Sequence, residues 1–394
     1  MKHVYMCTGH ELKIPNIIKS KGVYVFDDKG RRYMDLESGV WCISVGHNNK
    51  NINKTIMKQI ESIMHAGFSY SSHILEESSK TILDIINFIN GKCVFLCSGS
   101  EAIELSRQIT KHLSGKKISM TLHDSYLGAY ISVTDRTKGW YIFNWEPCRI
   151  CRKKEKCDPF CEALQDIPED ISEFIFEPGS SSGFVRFPPR ALIKNLIKII
   201  HKNNGKIIAN EVTTGVGRTG KWFGYQHYNI KPDLIAIGKG IGNGYPVSIV
   251  TINEATISEL QKKPFKYSQS HQNDPLGAAV VYEIIRQIKR NDLIKKAEQK
   301  GSIFLSKLKS LVDNEIILDV RGRGMMFAVD VVNKNLTNDI YNDLIRQGYI
   351  LGNRGTSFRI DPPLILTKEE FEKFIDTFKT IIVSKKNELI QTKL

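Results

Sequence analysis

A lysine between two glycines, directly after a short apolar run, is the feature that most constrains this chain. The run Leu234–Ile237 predicts a short buried strand. Lys239 follows between Gly238 and Gly240, so that backbone and ligand can both approach it closely. Partial desolvation would lower the pKa of this amine and leave it able to attack a carbonyl carbon. The pattern fits a Schiff-base lysine, and it fits a solvated lysine on a glycine-rich turn equally well.

Glycines upstream of this lysine satisfy the G-x-G-x-x-G spacing of dinucleotide-binding loops. They are Gly215, Gly217 and Gly220, and the residues that follow are Lys221 and Trp222-Phe223-Gly224-Tyr225. The dinucleotide fingerprint requires a helix that begins directly after the glycines. Because this sequence does not start a helix, we predict that these glycines do not form a dinucleotide site.

Three stretches around Lys239 together resemble the class III aminotransferases, which are fold-type I pyridoxal-phosphate enzymes related to acetylornithine and ornithine aminotransferases. They read NEVTTGVGRTGKWFG (210–224), PDLIAIGKG (232–240) and GNGYPVS (242–248). The resemblance extends over nearly the whole chain. It implies pyridoxal 5'-phosphate held as a Schiff base by Lys239, and a homodimer in which two subunits share each active site.

Alternating strand and helix patterns predict an α/β fold with a mostly parallel sheet. The resemblance implies a large domain with a seven-stranded type of sheet and a small α/β domain built from both termini. We expect residues 1–48 to form the N-terminal segment of the small domain, 49–300 the large cofactor-binding domain, and 301–394 the C-terminal small domain. A cysteine-rich insertion at 146–163 lies within the large domain.

A turn of small residues between a predicted strand (93–97) and a predicted helix offers backbone N–H groups and a positive helix end, which together favour a phosphate. The residues alone fit an ordinary helix N-cap equally well. By resemblance, Gly99 and Ser100 bind the cofactor phosphate. Ser270 matches a threonine that reaches the phosphate of the neighbouring subunit.

The resemblance also assigns five residues to the surroundings of the cofactor ring. Leu122 stands where an aromatic residue stacks on the ring, and it offers apolar cover without π overlap. His123 keeps the family residue, Val212 lies beneath the ring, and Thr213 replaces a glutamine that contacts the phenolic oxygen. Asn210 replaces the aspartate that keeps the ring nitrogen protonated, so we expect a neutral ring and a less delocalised carbanion.

Arg359 lies in FRIDPPL (358–364), which matches the segment that carries the substrate-binding arginine. Its guanidinium suits bidentate binding of a carboxylate. In ornithine-type members a glutamate pairs with this arginine, and Ser182 occupies that position here. We therefore expect Arg359 to be permanently available, which favours substrates with a carboxylate near the reacting amine.

Four cysteines within fourteen residues follow the pattern C-x2-C-x5-C-x3-C. They are Cys148, Cys151, Cys157 and Cys161. Four thiolates suit a tetrahedral zinc ion or an iron–sulfur cluster, and the basic residues between them would offset the negative charge. Incidental thiols on a surface loop, or a small nucleic-acid-binding finger, are the alternatives.

Composition excludes several classes of protein. The chain of 394 residues has 56 basic and 42 acidic residues, but its lysines are scattered over predicted helices without a dense basic arm. We therefore expect no nucleic-acid partner, although the net charge of +14 can attract anionic substrates. No apolar run approaches a membrane span, and the N-terminus lacks a signal-peptide core. These features predict a cytoplasmic protein with reduced thiols.

The sequence thus predicts an aminotransferase that acts on an amino acid carrying a carboxylate, with a 2-oxo acid as the amino acceptor. A racemase, epimerase or lyase of the same fold is the alternative, because Asn210 disfavours complete proton transfer to the cofactor carbon. A metal-binding pseudoenzyme is the non-enzymatic alternative.

Overall fold

The computed structural model of the chain describes residues 3–9, 12–180 and 184–391. The strands are β1 (Ile17–Lys21), β2 (Tyr24–Asp27), β3 (Arg32–Asp35), β4 (Lys92–Leu96), β5 (Ile118–Leu122), β6 (Trp140–Phe143), β7 (Ile171–Phe176), β8 (Lys206–Glu211), β9 (Leu234–Ile237), β10 (Ser248–Ile252), β11 (Ile317–Arg323), β12 (Met326–Val331), β13 (Tyr349–Ile350), β14 (Gly352–Arg354) and β15 (Ser357–Ile360).

Long helices separate these strands. They are Lys50–Ser62, His73–Ile86, Gly99–Ser114, Arg190–Lys202, Glu254–Lys262, Pro275–Arg290, Leu293–Lys309, Lys334–Arg346 and Lys368–Gln391. Short helical turns are Ile131–Thr134, Glu146–Ile150, Lys154–Lys156, Glu162–Gln165, Gly224–His227 and Lys239–Ile241. In the part of the chain that the structure describes, no helix has the length and apolar character needed to cross a membrane.

The largest sheet has seven strands in the order β4-β10-β9-β8-β7-β5-β6. Only β10 runs antiparallel to its neighbours, β4 and β9. Every residue of β7 and β9 is buried, as is typical of strands that helices cover on both faces. The predicted α/β fold with a mostly parallel, seven-stranded sheet is confirmed.

Two four-stranded sheets, β1-β2-β3-β13 and β11-β12-β15-β14, lie outside the large one. The parallel pairing of β3 with β13 places Met34 opposite Tyr349 and so joins the two ends of the chain. The predicted boundary at 300/301 falls inside the helix Leu293–Lys309. The domain limits given above otherwise stay predictions.

Capping residues define where two helices begin. The Ser98 hydroxyl accepts a hydrogen bond from the Glu101 N–H, and the Glu101 carboxylate accepts one from the Ser98 N–H, which starts the helix Gly99–Ser114. Thr367 and Glu370 form a second capping box at the start of the helix Lys368–Gln391, because the same reciprocal bonds form there at 2.9 and 3.1 Å.

A left-handed turn at Ser38–Trp41 connects β3 to the rest of the molecule. Val40 and Trp41 have φ angles of +59° and +64°, which cost free energy for a β-branched or bulky residue. Asp35 stabilises the turn, because its carboxylate accepts hydrogen bonds from the N–H groups of Glu37 and Gly39 at 3.0 and 2.8 Å. Strain of this kind is typical of segments that form a functional site.

Candidate active site

The carboxyl ends of β4, β8 and β9 meet at one edge of the large sheet, which is where open α/β sheets bind ligands. Val212, just after β8, packs between the loops that follow the other two strands. A Cβ at Gly99 would lie 2.6 Å from Val212 Cγ1, and one at Gly238 would lie 3.3 Å from the same atom. Glycine at these positions therefore lets the three loops approach closely.

A cavity of about 420 Å³ opens at this edge. Its lining includes seven of the residues that the sequence assigns to cofactor or substrate, namely Gly99, Ser100, Asn210, Val212, Thr213, Lys239 and Arg359. The other lining residues are Val40, Trp41, Ile103, Tyr126, Leu127, Gly128 and Arg354. Residues far apart in the chain thus surround one space that is large enough for a small ligand.

Lys239 projects into the cavity from the end of β9. Its backbone φ is +47°, and its Nζ lies 3.4 Å from the hydroxyl of Thr213. Burial lowers the pKa of the Lys239 amine below its ordinary value, the nearby Cys42 and Glu177 oppose this shift, and the positive charge of Arg359 adds to it. A larger share of the amine is therefore neutral and nucleophilic near neutral pH.

Trp41 contacts two of the three cations that line the cavity. The centroid of a Trp41 ring is 4.6 Å from Lys239 Nζ and 4.2 Å from Arg359 Cζ. A ring face attracts cations, so Trp41 helps to hold both side chains without neutralising either. Trp41 could not be predicted from the sequence, because no motif in the residues around it indicates a contact with two cations that lie far away in the chain.

The N-terminus of the helix Gly99–Ser114 forms one end of the cavity. The N–H groups of Glu101 and Ala102 are bonded to Ser98, whereas those of Gly99 and Ser100 donate to no other described residue. The Ser100 hydroxyl accepts a hydrogen bond from the Ala129 N–H at 3.0 Å, which leaves its own proton for a ligand. This end of the cavity suits an anion.

Two backbone contacts fix the side-chain amide of Asn210. Its Nδ2 donates to the Tyr126 carbonyl at 2.9 Å, and its Oδ1 accepts from the Val212 N–H at 3.3 Å. Because a carbonyl only accepts and an N–H only donates, these partners define which amide atom is which. Asn210 retains one further N–H and one further lone pair on Oδ1, so this uncharged side chain can donate a hydrogen bond to a ligand.

Glu37 pairs with Arg359, and this contact corrects a sequence-based expectation. Arg359 Nη2 lies 3.0 Å from Glu37 Oε1, and both side chains are largely buried. Burial raises the pKa of Glu37, and the adjacent Arg359 opposes that shift. Arg359 is thus not permanently available. Ser182, from which availability was inferred, lies outside the described residues.

Of the described residues, Leu122, His123 and Ser270 are predicted site residues that do not line the cavity. Leu122 is buried with Phe143 and Trp145 in the core of the large sheet, so the expectation that it covers the cofactor is corrected. Its side chain points into that core with Met120, because residues two apart on a strand share a face. Tyr126 and Leu127, further along the same loop, line the cavity instead.

His123 and Ser270 occupy different surroundings. His123 Nε2 lies 3.9 Å from Glu146 Oε2, and its ring is 6.1 Å from that of Trp145. Ser270 is exposed on a turn that follows an extended segment, and the N–H of Asn273 in the same turn donates to the Phe95 carbonyl at 2.9 Å. The predicted role of Ser270 concerns a neighbouring subunit and stays a prediction.

All four cysteines of the insertion line a second cavity, of about 260 Å³. Burial raises the pKa of Cys148 to about 11, and the other three thiols act in the same direction, so the four groups are neighbours. Among the described residues, however, the group compact enough to hold one ion is a different one, His65, His271 and Asp274. The four thiols do not form such a compact group in the structure, and the metal site predicted for them stays a prediction.

A family model described as "Aminotransferase class-III" matches residues 6–382 of the chain. The chain belongs to this family. The acetylornithine aminotransferase of Methanosarcina mazei is 28% identical over 385 residues, which cover 96% of this chain and 94% of the relative. The leucine/methionine racemase of Thermococcus litoralis is 26% identical over 402 residues, covering 93% and 90%. The family therefore includes relatives with different named reactions.

A solved class III structure shows that the fold is shared. The taurine:2-oxoglutarate aminotransferase of Bifidobacterium kashiwanohense, in complex with pyridoxal phosphate and glutamate, matches with a TM-score of 0.89 at 20% identity. The match covers 96% of this chain and 95% of that one. At this identity the likeness establishes the fold and nothing further.

The residues of this class III aminotransferase fit pyridoxal 5'-phosphate, the cofactor of its family. The buried Lys239 offers an amine for the aldehyde carbon, and the N–H groups of Gly99 and Ser100 suit the phosphate. The absence of a Cβ at Gly99 lets Val212 pack against the start of the helix, and both residues line the cavity that a ring would occupy. The donor amide of Asn210 suits a ring nitrogen that accepts a hydrogen bond.

Proposed function

We propose that this protein catalyses pyridoxal-phosphate-dependent transamination between an amino acid that carries a carboxylate and a 2-oxo acid. The observation that carries the proposal is the buried amine of Lys239, with a lowered pKa, in the same cavity as Arg359. An amine for covalent attachment and a guanidinium for a carboxylate are the two groups that such a reaction requires.

Lys239 has two roles in this proposal. Its neutral amine would hold pyridoxal phosphate until the amino group of the substrate replaces it. The Lys239 amine would then serve as the general base that accepts the proton from the α-carbon of the substrate and as the general acid that returns it. When bound, pyridoxal phosphate supplies the electron sink for the charge that develops on the α-carbon. Thr213, 3.4 Å from Nζ, helps to orient the amine.

Glu37 and two arginines give the cavity its preference for carboxylates. Without substrate, Glu37 neutralises Arg359 across 3.0 Å. A substrate carboxylate competes with Glu37 for the guanidinium, and the raised pKa of Glu37 makes protonation and release of its carboxyl easier. Arg354, a second arginine in the lining, is available for another carboxylate. We therefore infer that dicarboxylic 2-oxo acids are the preferred amino acceptors.

The direct test is to incubate the holoenzyme with single L-amino acids and 2-oxoglutarate and to separate the products by chiral chromatography. Transamination predicts one new 2-oxo acid for each glutamate formed. Lys239→Ala should abolish turnover, whereas Lys198→Ala, which changes an exposed lysine on the helix Arg190–Lys202, should retain it. Normal glutamate formation by the Lys239→Ala enzyme would refute the assignment of Lys239.

A racemase is the second candidate, and Asn210 is the observation that favours it. A donor amide supports an unprotonated ring nitrogen, which weakens the electron sink and favours return of the proton to the same carbon. The relative named leucine/methionine racemase makes this alternative concrete. D-amino acid that accumulates without any 2-oxo acid, in the same chromatographic assay, would replace transamination with racemisation. A lyase would instead release ammonia or a fragment of the substrate side chain.

We also propose a homodimer in which Ser270 contributes to the partner's cofactor site. Several large apolar side chains are exposed on and after the helix Lys50–Ser62, namely Met57, Ile60, Ile63, Met64, Phe68 and Tyr70. Monomeric proteins rarely expose so many neighbouring apolar groups. Sedimentation should give twice the chain mass, and Ser270→Ala should weaken cofactor binding without changing that mass.

The insertion supports a further element of the proposal, a metal centre held by Cys148, Cys151, Cys157 and Cys161. Zinc ions and iron–sulfur clusters both use four thiolates. A protein that contains metal but cannot bind pyridoxal phosphate would instead be a pseudoenzyme. We further propose that the protein is cytoplasmic, a compartment in which its eight cysteines would remain thiols or metal ligands.

A further inference from the structure

The cysteine insertion is a structured segment whose two ends pack against the large sheet. Trp145, which precedes it, is buried and donates from its indole N–H to the Asp124 carboxylate at 2.8 Å. Leu164, which follows it, is buried in the same core. Both ends are thus fixed to the sheet, and the residues between them have little apolar core of their own.

The thiols of Cys148, Cys151, Cys157 and Cys161 converge on one space although they lie on different short elements. Cys148 is in the turn Glu146–Ile150, Cys157 ends the turn Lys154–Lys156, and Cys161 caps the turn Glu162–Gln165. Pro189 and Leu192 supply an apolar wall, and Asn195 Nδ2 donates to the Cys157 carbonyl at 3.0 Å. Three short turns with a shared cysteine-lined space form a cage rather than an irregular loop.

The size of the cage argues against one ion. Four thiolates about 2.3 Å from a zinc ion lie only about 3.8 Å from one another. These four thiols, all within the described residues, do not form such a compact group, although the structure does bring His65, His271 and Asp274 within 4.8 Å of one another. The cavity that the four cysteines line together with Lys153, Lys154, Asp158, Pro189 and Leu192 has a volume of about 260 Å³, so it has room for a group larger than one ion.

We propose that the four cysteines bind an iron–sulfur cluster of the [4Fe–4S] type. In such a cluster each thiolate binds a different iron, so the four sulfurs stand further apart than around one ion. Each thiol loses its proton when it binds iron. Lys153 and Lys154 line the cage, and Arg149, Arg152 and Lys156 are close in sequence, so positive charge surrounds the thiolates.

The cluster would close the insertion beside the active-site edge. The turn that contains Cys148 begins at Glu146, whose carboxylate pairs with Arg149 and lies 3.1 Å from Arg186 Nη1 and 3.9 Å from His123 Nε2. His123 directly follows the end of β5. Bound cluster therefore fixes Glu146 and, through it, the loops that carry His123 and Arg186.

The experiment is anaerobic purification of the full chain from iron-supplemented cells, followed by assay of iron, acid-labile sulfide and zinc. We expect about four irons and four sulfides per chain. Because pyridoxal phosphate absorbs in the same spectral region, the cluster is identified by electron paramagnetic resonance after reduction with dithionite. Exposure to air should remove the signal while pyridoxal phosphate stays bound.

Cysteine variants distinguish a specific cluster-binding site from nonspecifically bound iron. Cys157→Ser and Cys151→Ser should each lose at least half of the iron and sulfide, whereas Cys7→Ser, an exposed thiol outside the cage, should lose none. Since Cys151 is exposed, its variant is expected to fold even if Cys157→Ser does not. One zinc per chain without sulfide, no metal at all, or equal iron in the wild type and the Cys151 variant would each overturn the proposal. Metal content is independent of turnover, so failure of the transaminase proposal would leave this test intact.

Discussion

At the scale of single residues, the cavity is defined by side chains that balance one another across long stretches of sequence. Lys239 and Arg359 are cations that both contact a ring of Trp41, and Glu37 neutralises the second of them. A buried ion pair of this kind contributes little net stability, but its loss leaves an uncompensated charge. Its value is that a substrate carboxylate can replace Glu37.

Glu37→Gln should increase the affinity for substrates that carry a carboxylate. The substrate no longer competes with a charged partner of Arg359, so we expect KM for the 2-oxo acid to fall by about three- to tenfold, on the order of 1 kcal/mol. KM for an amine without a carboxylate should rise, because it then faces an unneutralised guanidinium. Steady-state kinetics measure both values. Glu61→Gln, at an exposed glutamate, is the control, and an unchanged KM in the Glu37 variant would argue against the competition.

Asn210→Asp should destabilise the cofactor-free protein. The substituted carboxylate cannot donate to the Tyr126 carbonyl, which Asn210 contacts at 2.9 Å, so two acceptors face each other in a buried site. We expect a loss of about 1 to 3 kcal/mol in the free energy of unfolding. Urea denaturation measures it, with the exposed Asn387→Asp as the control. Equal stability of the two variants would mean that the amide contact contributes nothing.

Residues next to a recognisable motif could be predicted from the sequence, and those recruited from far away could not. Lys239 and Gly99 follow strands that the apolar pattern identifies, and Asn210 lies near the end of another such strand, β8. Glu37 meets Arg359 across 322 positions of sequence, a contact that no local pattern encodes. Leu122 shows the opposite error, because a motif match assigned it to the cavity while the alternation of β5 turns its side chain into the core.

At the scale of secondary-structure elements, the site depends on how closely three loops approach one another. Gly99→Ala would add a Cβ 2.6 Å from Val212 Cγ1, and the helix Gly99–Ser114 would have to shift away from β8. We expect a loss of about 1 to 3 kcal/mol in unfolding free energy and weaker phosphate binding. Isothermal calorimetry with pyridoxal phosphate measures the second effect.

The double variant Gly99→Ala/Val212→Ala tests the cause of that loss. Val212→Ala removes two γ-methyl groups and makes room for the new Cβ. Gly99→Ala should therefore lower the free energy of unfolding less in the Val212→Ala background than in the wild type. If the double variant loses as much unfolding free energy as the two single variants together, the contact between Gly99 and Val212 does not limit the approach of the loops.

The turn Gly224–His227 should make stability depend on pH. Burial lowers the pKa of His227 to about 4, and the charges of Arg323 and Lys221 add to the shift. In the unfolded chain a histidine has a pKa of about 6.5, so it takes up a proton at higher pH than His227 does in the folded protein. The contribution of His227 to stability is therefore complete above pH 6.5 and is lost as the pH falls toward 4. Between pH 7 and pH 4, the unfolding temperature of His227→Gln should fall less steeply than that of the wild type. His73→Gln, at an exposed histidine, should follow the wild-type curve.

At the scale of the whole molecule, strand pattern predicted the large sheet better than it predicted the small ones. The strand β9 is a continuous apolar run, and β7 and β8 each contain three consecutive apolar residues, so these strands are visible in the sequence. The pairing of β3 with β13 involves two residues of β13 and joins positions about 315 apart. Such a short strand has no pattern of its own, and its partner is decided by tertiary packing.

That pairing has a consequence for biosynthesis. The strands of the large sheet all lie between Lys92 and Ile252, so this sheet can assemble while the ribosome is still adding later residues. The segment that carries Glu37 and Trp41 was made first, yet its strand partner at Tyr349–Ile350 and its ion-pair partner at Arg359 are among the last parts to emerge. A nascent chain can therefore form the part of the cavity that contains Asn210 and Lys239 early. It completes the part that contains Glu37 and Arg359 only near the end of translation.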